Sequence, residues 1–170
     1  ETALELARAG AEVVLTGRNR AKGADALERI KAEVPGARVS YENLDLSGLG
    51  DVKAFAEAFA TRHRALDILL NNAGVMAPPA REVTRDGLEL QFETNYLGHF
   101  ALTTRLLPLL SAARGRVVPL ASLAARRGRI DFDNLQAERS YSPMASYSQT
   151  KLACLMFGLE LQRRSDANGW

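Results

Sequence analysis

Short apolar runs alternate with amphipathic helical stretches along almost the whole chain, and that alternation admits few folds. A helix reads from the first residues, with Leu4, Leu6 and Ala7 on its apolar side and Gly10 placed to stop it. A strand follows at 12–16, a helix at about 20–33 ended by Pro35-Gly36, and a strand at about 38–44. A helix at about 49–62 leads to an apolar strand at 66–70, a loop containing Pro78-Pro79, and a long helix at about 87–112. A strand at 116–121 then enters an extended loop. The last helix begins at Pro143, with Ser142 as N-cap and proline at the first helical position, and runs to about Arg164. Strands separated by helices pair in parallel through crossovers that lay helices on both faces of the sheet. The expected class is α/β, and the expected organisation is one domain over 1–170.

Composition removes several kinds of function. Charged residues make up 25% of the chain but the net charge is only +2, so no strong field marks a nucleic-acid binder. The tightest basic cluster, Arg126-Arg127-Gly128-Arg129, reads as a solvated loop. The single cysteine, Cys154, lies in an apolar stretch where no second thiol exists to pair with it. A small buried side chain in a reducing compartment is expected, hence a cytoplasmic location. The most apolar segment, at 97–110, is interrupted by His99, Arg105 and Pro108 and reads as neither a membrane span nor a signal peptide. His63 and His99 have no cysteine or carboxylate at ligand spacing, so both read as structural and no metal site is expected.

The chemistry is concentrated in four short segments. Tyr147 and Lys151 stand four residues apart in Tyr147-Ser148-Gln149-Thr150-Lys151, which on a helix stacks both side chains on one face. An ammonium about 4 Å from a phenol stabilises the phenolate by roughly 1 to 4 kcal/mol between water-like and surface-like dielectrics, enough to make a working acid/base. Upstream come Asn71-Asn72-Ala73-Gly74 after an apolar strand, Asn95 within Glu93-Thr94-Asn95-Tyr96-Leu97-Gly98-His99-Phe100, and Ser122 at the end of the strand beginning Gly115-Arg116-Val117-Val118. Each alone has a plain reading: a lysine lying along a tyrosine ring, a turn, a satisfied kink residue, a cap.

As an ordered set, these segments resemble the short-chain dehydrogenase/reductase family. The stretches Gly128-Arg129-Ile130-Asp131-Phe132-Asp133-Asn134-Leu135 and Ser140-Tyr141-Ser142-Pro143 resemble its retinol-dehydrogenase-like branch. The resemblance covers nearly the whole chain. It implies a doubly wound (Rossmann) parallel sheet and hydride transfer between NADP(H) and a small carbonyl or alcohol substrate. Tyr147 would be the general acid/base, and Lys151 would assist it and bind the nicotinamide ribose. Ser122 would hydrogen-bond the substrate oxygen, and Asn95 would anchor a water that relays protons past Lys151. For the cofactor, Asn71, Asn72, Ala73 and Gly74 would lie beside the adenine ribose, and Asp45 would bond the adenine. Gly17-Arg18 stands where an NAD-preferring relative carries an acid; a guanidinium there suits a 2′-phosphate, which favours NADP over NAD. The helices carrying Asn95 and Tyr147 are surfaces on which such proteins often form homodimers.

Two departures from the family pattern bear on activity. No strand with a glycine-rich phosphate turn precedes the first helix, and no sixth strand follows the last one. The chain is therefore expected to be an internal part of a longer protein, an incomplete Rossmann sheet, prone by itself to aggregate. Pro119 falls in the fifth strand of the family order, where it cannot donate a ladder hydrogen bond and threatens to displace Ser122. An inactive fragment or pseudoenzyme serving as an interaction module is the alternative function, and an epimerase or dehydratase on the same scaffold is a third.

Overall fold

A computed structural model of the chain describes residues 1–169. Two compact units emerge, Glu1–Asp45 and the chain from Leu46 onward. Both follow the expected α/β pattern with parallel strands.

The first unit runs α1 (Thr2–Arg8), β1 (Val13–Gly17), α2 (Arg20–Glu33) and β2 (Val39–Asn43). The two strands are parallel and in register from Val13 opposite Val39 to Gly17 opposite Asn43. Leu4 and Ala7 of α1 and Ile30 of α2 form the buried centre, with Leu15, Val34 and Val39 packed against it. The Asn19 side chain caps α2 by accepting the Lys22 N–H at 3.0 Å. Gly10 and Gly36, at φ +82° and +81°, turn the chain after each helix. A Cβ at Gly23 would meet the Tyr41 ring at 2.3 Å, so α2 lies close to β2 only because that residue is glycine.

The second unit contains α3 (Leu49–Arg62), β3 (Ile68–Asn71), α4 (Leu90–Phe92), a π-helical turn (Glu93–Leu97), α5 (Gly98–Ala113), β4 (Arg116–Pro119), a 3₁₀ turn (Leu123–Arg127) and α6 (Pro143–Asn168). Strands β3 and β4 are parallel, from Ile68 opposite Arg116 to Asn71 opposite Pro119. Val52, Ala56 and Phe59 of α3 and Leu102, Leu106, Leu109 and Leu110 of α5 supply most of the buried apolar core. At 7% exposure or less apiece, Ala153 and Cys154 of α6 are buried as well.

The expected helix at 87–112 is three pieces instead of one. Gly87 sits at φ +79° inside a turn closed by Thr84 and Leu88, and Glu89 caps α4 by accepting the Phe92 N–H at 2.7 Å. A left-handed residue cannot lie in a helix, so the helix starts after it. The π turn then widens the helix by one residue around Asn95. The last helix is longer than expected because nothing stops it before Gly169, which takes φ +70°. Strand β3 starts at Ile68, since the Leu66 N–H bonds Leu109 O instead of a ladder partner.

Pro119 costs β4 nothing on its β3 side. Arg116 donates to Asp67 O at 2.7 Å and Leu120 to Asn71 O at 3.0 Å, so alternate residues face β3 and the Pro119 nitrogen lies on the opposite edge. Its ring packs on Gly158 of α6, where a Cβ would fall 2.9 Å from Pro119 Cγ.

Gly98 is buried and packs directly on backbone, where a Cβ would lie 2.4 Å from Leu46 O. Backbone cannot yield as a side-chain tip can, so Gly98→Ala should destabilise the second unit by about 1 to 3 kcal/mol. Native-state thermolysin digestion should then cut the variant roughly tenfold faster than the parent; equal rates would show that α5 shifts without strain.

Candidate active site

The carboxyl ends of β3 and β4 open onto a cleft of ≈ 230 Å³ lined by Asn72, Gly74, Val75, Met76, Leu120, Ala121, Ser122, Tyr147 and Lys151. Open parallel sheets bind ligands at that end, in the crevice outside the carboxyl ends of the strands where the following helices begin. Tyr147 and Lys151 reach it from the second and third turns of α6, with the Lys151 Nζ 5.8 Å from the Tyr147 ring centroid. Tyr147, Lys151 and Ser122 thus line one cleft.

Lys151 is 6% exposed, and among the described residues its Nζ has one hydrogen-bond acceptor, Leu120 O at 2.9 Å. An ammonium carries three donors, so two N–H groups are left for whatever enters the cleft. Ser122 caps the 3₁₀ turn, its Oγ accepting the Ala124 N–H at 3.2 Å. Acting as a cap uses a lone pair and leaves the hydroxyl hydrogen to donate toward the cleft.

Asn95 is completely buried behind the cleft. Its Oδ1 accepts the Val75 N–H at 2.8 Å, and its Nδ2 donates to Val75 O at 2.9 Å and Thr150 Oγ1 at 3.1 Å. The π turn withdraws its carbonyl from the α-helical pattern, and that carbonyl accepts from Cys154 Sγ at 3.1 Å and lies 2.9 Å from His99 Nδ1. Burial pushes the His99 imidazole below its ordinary range, the Asn95 carbonyl opposes that and Lys151 adds to it. A neutral ring donating from Nδ1 satisfies the contact. Burial likewise pushes the Cys154 thiol up, so it is an inert donor here.

Asn71 differs from the three residues after it. Its side chain is 3% exposed and donates to Thr103 Oγ1 of α5 at 2.9 Å, tying β3 to that helix, whereas Asn72, Ala73 and Gly74 are exposed. Arg18 and Asp45 belong to the first unit. Both follow the carboxyl ends of its paired strands, where the Leu44 N–H bonds Gly17 O at 3.0 Å, and Arg18 is exposed.

Several participants escaped the sequence reading. Thr150 lies inside the Tyr147–Lys151 segment, and an alcohol one residue before the lysine could have been flagged as a partner for a buried amide. Met76, which lines the cleft, and the buried Gln91, which accepts the Ala77 N–H next to it, carry no spacing signal at all.

Glu93, in the π turn, is fully buried with neither carboxylate oxygen hydrogen-bonded among the described residues. Burial pushes its carboxyl above the ordinary glutamate range; the Thr84 hydroxyl pulls it back, and the Asp86 carboxylate pushes it further up. A proton is therefore held more tightly in the folded chain. The associated stability is complete below the unfolded glutamate value and is lost as pH rises through the folded one. Glu93→Gln keeps the shape without the charge, so its resistance to thermolysin should match the parent near pH ~4 and exceed it increasingly toward pH ~8. A parallel pH dependence for both chains would refute that assignment.

The short chain dehydrogenase family matches residues 1–168. Human retinol dehydrogenase 13 is 43% identical over 99% of this chain and 51% of its own length. Mouse retinol dehydrogenase 12 is 44% identical over 99% of this chain and 54% of its length, and mouse polyprenol dehydrogenase is 43% identical over 99% and 51%. The chain spans about half the length of the curated relatives it matches. Among solved structures, an uncharacterized protein from Mycobacterium paratuberculosis matches with a TM-score of 0.84 at 43% identity, over 99% of this chain and 58% of that one. A short chain dehydrogenase from Escherichia coli CFT073 complexed with NADPH matches with a TM-score of 0.76 at 27% identity, over 96% and 65%. Matched by the family over almost its full length, and with Tyr147, Lys151 and Ser122 lining one cleft, this chain belongs to the short-chain dehydrogenases.

Proposed function

We propose that the protein transfers a hydride between NADP(H) and a carbonyl or alcohol substrate, with Tyr147 as the general acid/base. The observation that carries this reading is the shared cleft of Tyr147, Lys151 and Ser122 at the strand ends. NADPH, when bound, supplies the hydride. Tyr147 gives its proton to the oxygen of a carbonyl being reduced and takes it back from an alcohol being oxidised. The Ser122 hydroxyl donates to the same oxygen and orients it. Lys151, buried with N–H groups to spare, would hold the ribose hydroxyls. Asn95 positions Lys151 and Tyr147 through Thr150, whose hydroxyl donates to the Tyr147 carbonyl.

Each unit by itself carries groups that suit a dinucleotide. Asn72, Ala73 and Gly74 are exposed and small enough for a ribose to lie against them, and Asn71 holds their strand in place. In the first unit, Arg18 offers a guanidinium to a 2′-phosphate and Asp45 an acceptor to adenine; the relative solved with NADPH agrees with a phosphorylated cofactor. No helix among the described residues is long and apolar enough to cross a membrane, and one buried thiol suits a reducing compartment such as the cytoplasm. The exposed Phe100, Leu155, Met156 and Leu159 on α5 and α6 suit a second copy of the chain as partner.

Tyr147→Phe should lower NADPH-dependent aldehyde reduction by at least about a hundredfold while NADPH still binds. Retained turnover would remove Tyr147 from the proton step. Arg18→Asp should move the NADPH/NADH preference, read as a ratio of dissociation constants, at least about tenfold toward NADH. An unmoved ratio would remove the basis for preferring the phosphorylated cofactor.

A further inference from the structure

Residues 75–78 follow the loop after β3, Val75 and Met76 among them line the cleft, and polar side chains fix the segment almost residue by residue. Val75 is held at both its N–H and its carbonyl by Asn95. The Ala77 N–H donates to Gln91 Oε1 at 2.8 Å, and the Pro78 carbonyl accepts the Tyr141 hydroxyl at 2.8 Å. Gln91 is 0% exposed and spends its amide on the Tyr141 hydroxyl and the Pro143 carbonyl, each at 3.2 Å, at the mouth of α6. Ala77 sits at φ +50°, a conformation that L-residues avoid and that persists only when its surroundings over-determine it.

Met76 is the residue this clamp displays. Its backbone is pinned on both sides, yet its side chain is 68% exposed and lines the cleft with Ser122 and Tyr147. Burial of apolar surface explains most methionines, but this one is held out of the core beside the groups that would handle the substrate oxygen. A thioether on three rotatable bonds shapes itself to apolar partners of different outline. Met144, one turn before Tyr147 on α6, adds a second half-exposed thioether on the same helix face.

We infer that Met76 is a specificity-determining residue: the apolar wall that receives the hydrocarbon portion of an extended aliphatic substrate next to the reacting carbon. This rests on the hydride-transfer reading only for which end of the substrate reacts. The wall itself follows from the clamp and the exposure.

The chain has three methionines, so [methyl-13C]methionine labelling gives a spectrum that single Met→Leu variants assign. Titrating the full chain, with NADP⁺ present, with decanol should shift the Met76 methyl signal and leave Met156, on the far part of α6, in place. An unmoved Met76 signal at saturating decanol overturns the inference. In steady-state assays with NADPH, Met76→Ser should lower kcat/KM for decanal about ten times more than for propanal; an equal loss on both aldehydes also overturns it. A Met76 signal that moves with decanol in a chain that oxidises no NADPH with any aldehyde would count against hydride transfer and leave the apolar wall standing.

Discussion

The carboxamide of Asn95, sealed completely from solvent, gives both its hydrogens and accepts a third, and those bonds gather three segments that are distant in sequence. Val75 brings the loop after β3, Thr150 brings α6, and the residue itself sits in the turn between α4 and α5. A buried hydrogen bond of this kind adds only about 1 kcal/mol net, whereas leaving such a group without a partner costs about 1 to 3 kcal/mol. That asymmetry makes the arrangement close to all-or-none. The π turn is part of it, because widening the helix turns the Asn95 carbonyl toward His99 and Cys154.

Around that strut the cleft is built from both rigid and strained backbone. Strand ends deliver Ser122 and the Asn72–Gly74 loop, a helix delivers Tyr147 and Lys151 with one face in common, and Gln91 with Tyr141 holds the loop bearing Met76. Gly74 shows how close the packing is: a Cβ there would fall 2.9 Å from Asn95 Oδ1 and 3.9 Å from Lys151 Nζ. Glycine at that position is required by the neighbours, since its φ lies in the ordinary region. The buried Glu93 in the π turn belongs to the same trade, a carboxyl kept from water where helix continuity has been given up.

Much of this was legible in the chain. Helices at Arg20–Glu33 and Leu49–Arg62 coincide with their expected spans because amphipathic spacing and a clear stop, Gly36 or the polar stretch after Arg62, act locally. The long helix looks continuous in sequence, since a π turn is a one-residue insertion that leaves hydrophobic spacing nearly intact. Which edge of β4 the Pro119 nitrogen faces is not legible in the sequence, since both edges of a parallel strand read alike; the ladder shows that it faces away from β3. Asn71 read as one of four equivalent loop residues, and packing against Thr103 set it apart.

By itself the sequence determined the alternation of strands and helices, the family, and the identity of the groups that can move a proton, because these depend on residue type and on spacing within a few turns. Tertiary structure decided which of those groups share a cleft and which are sealed behind it. It also decided that a methionine with no motif around it is displayed at the mouth. Such placements depend on hydrogen bonds between residues 14 to 63 positions apart, and local chain chemistry carries no record of them.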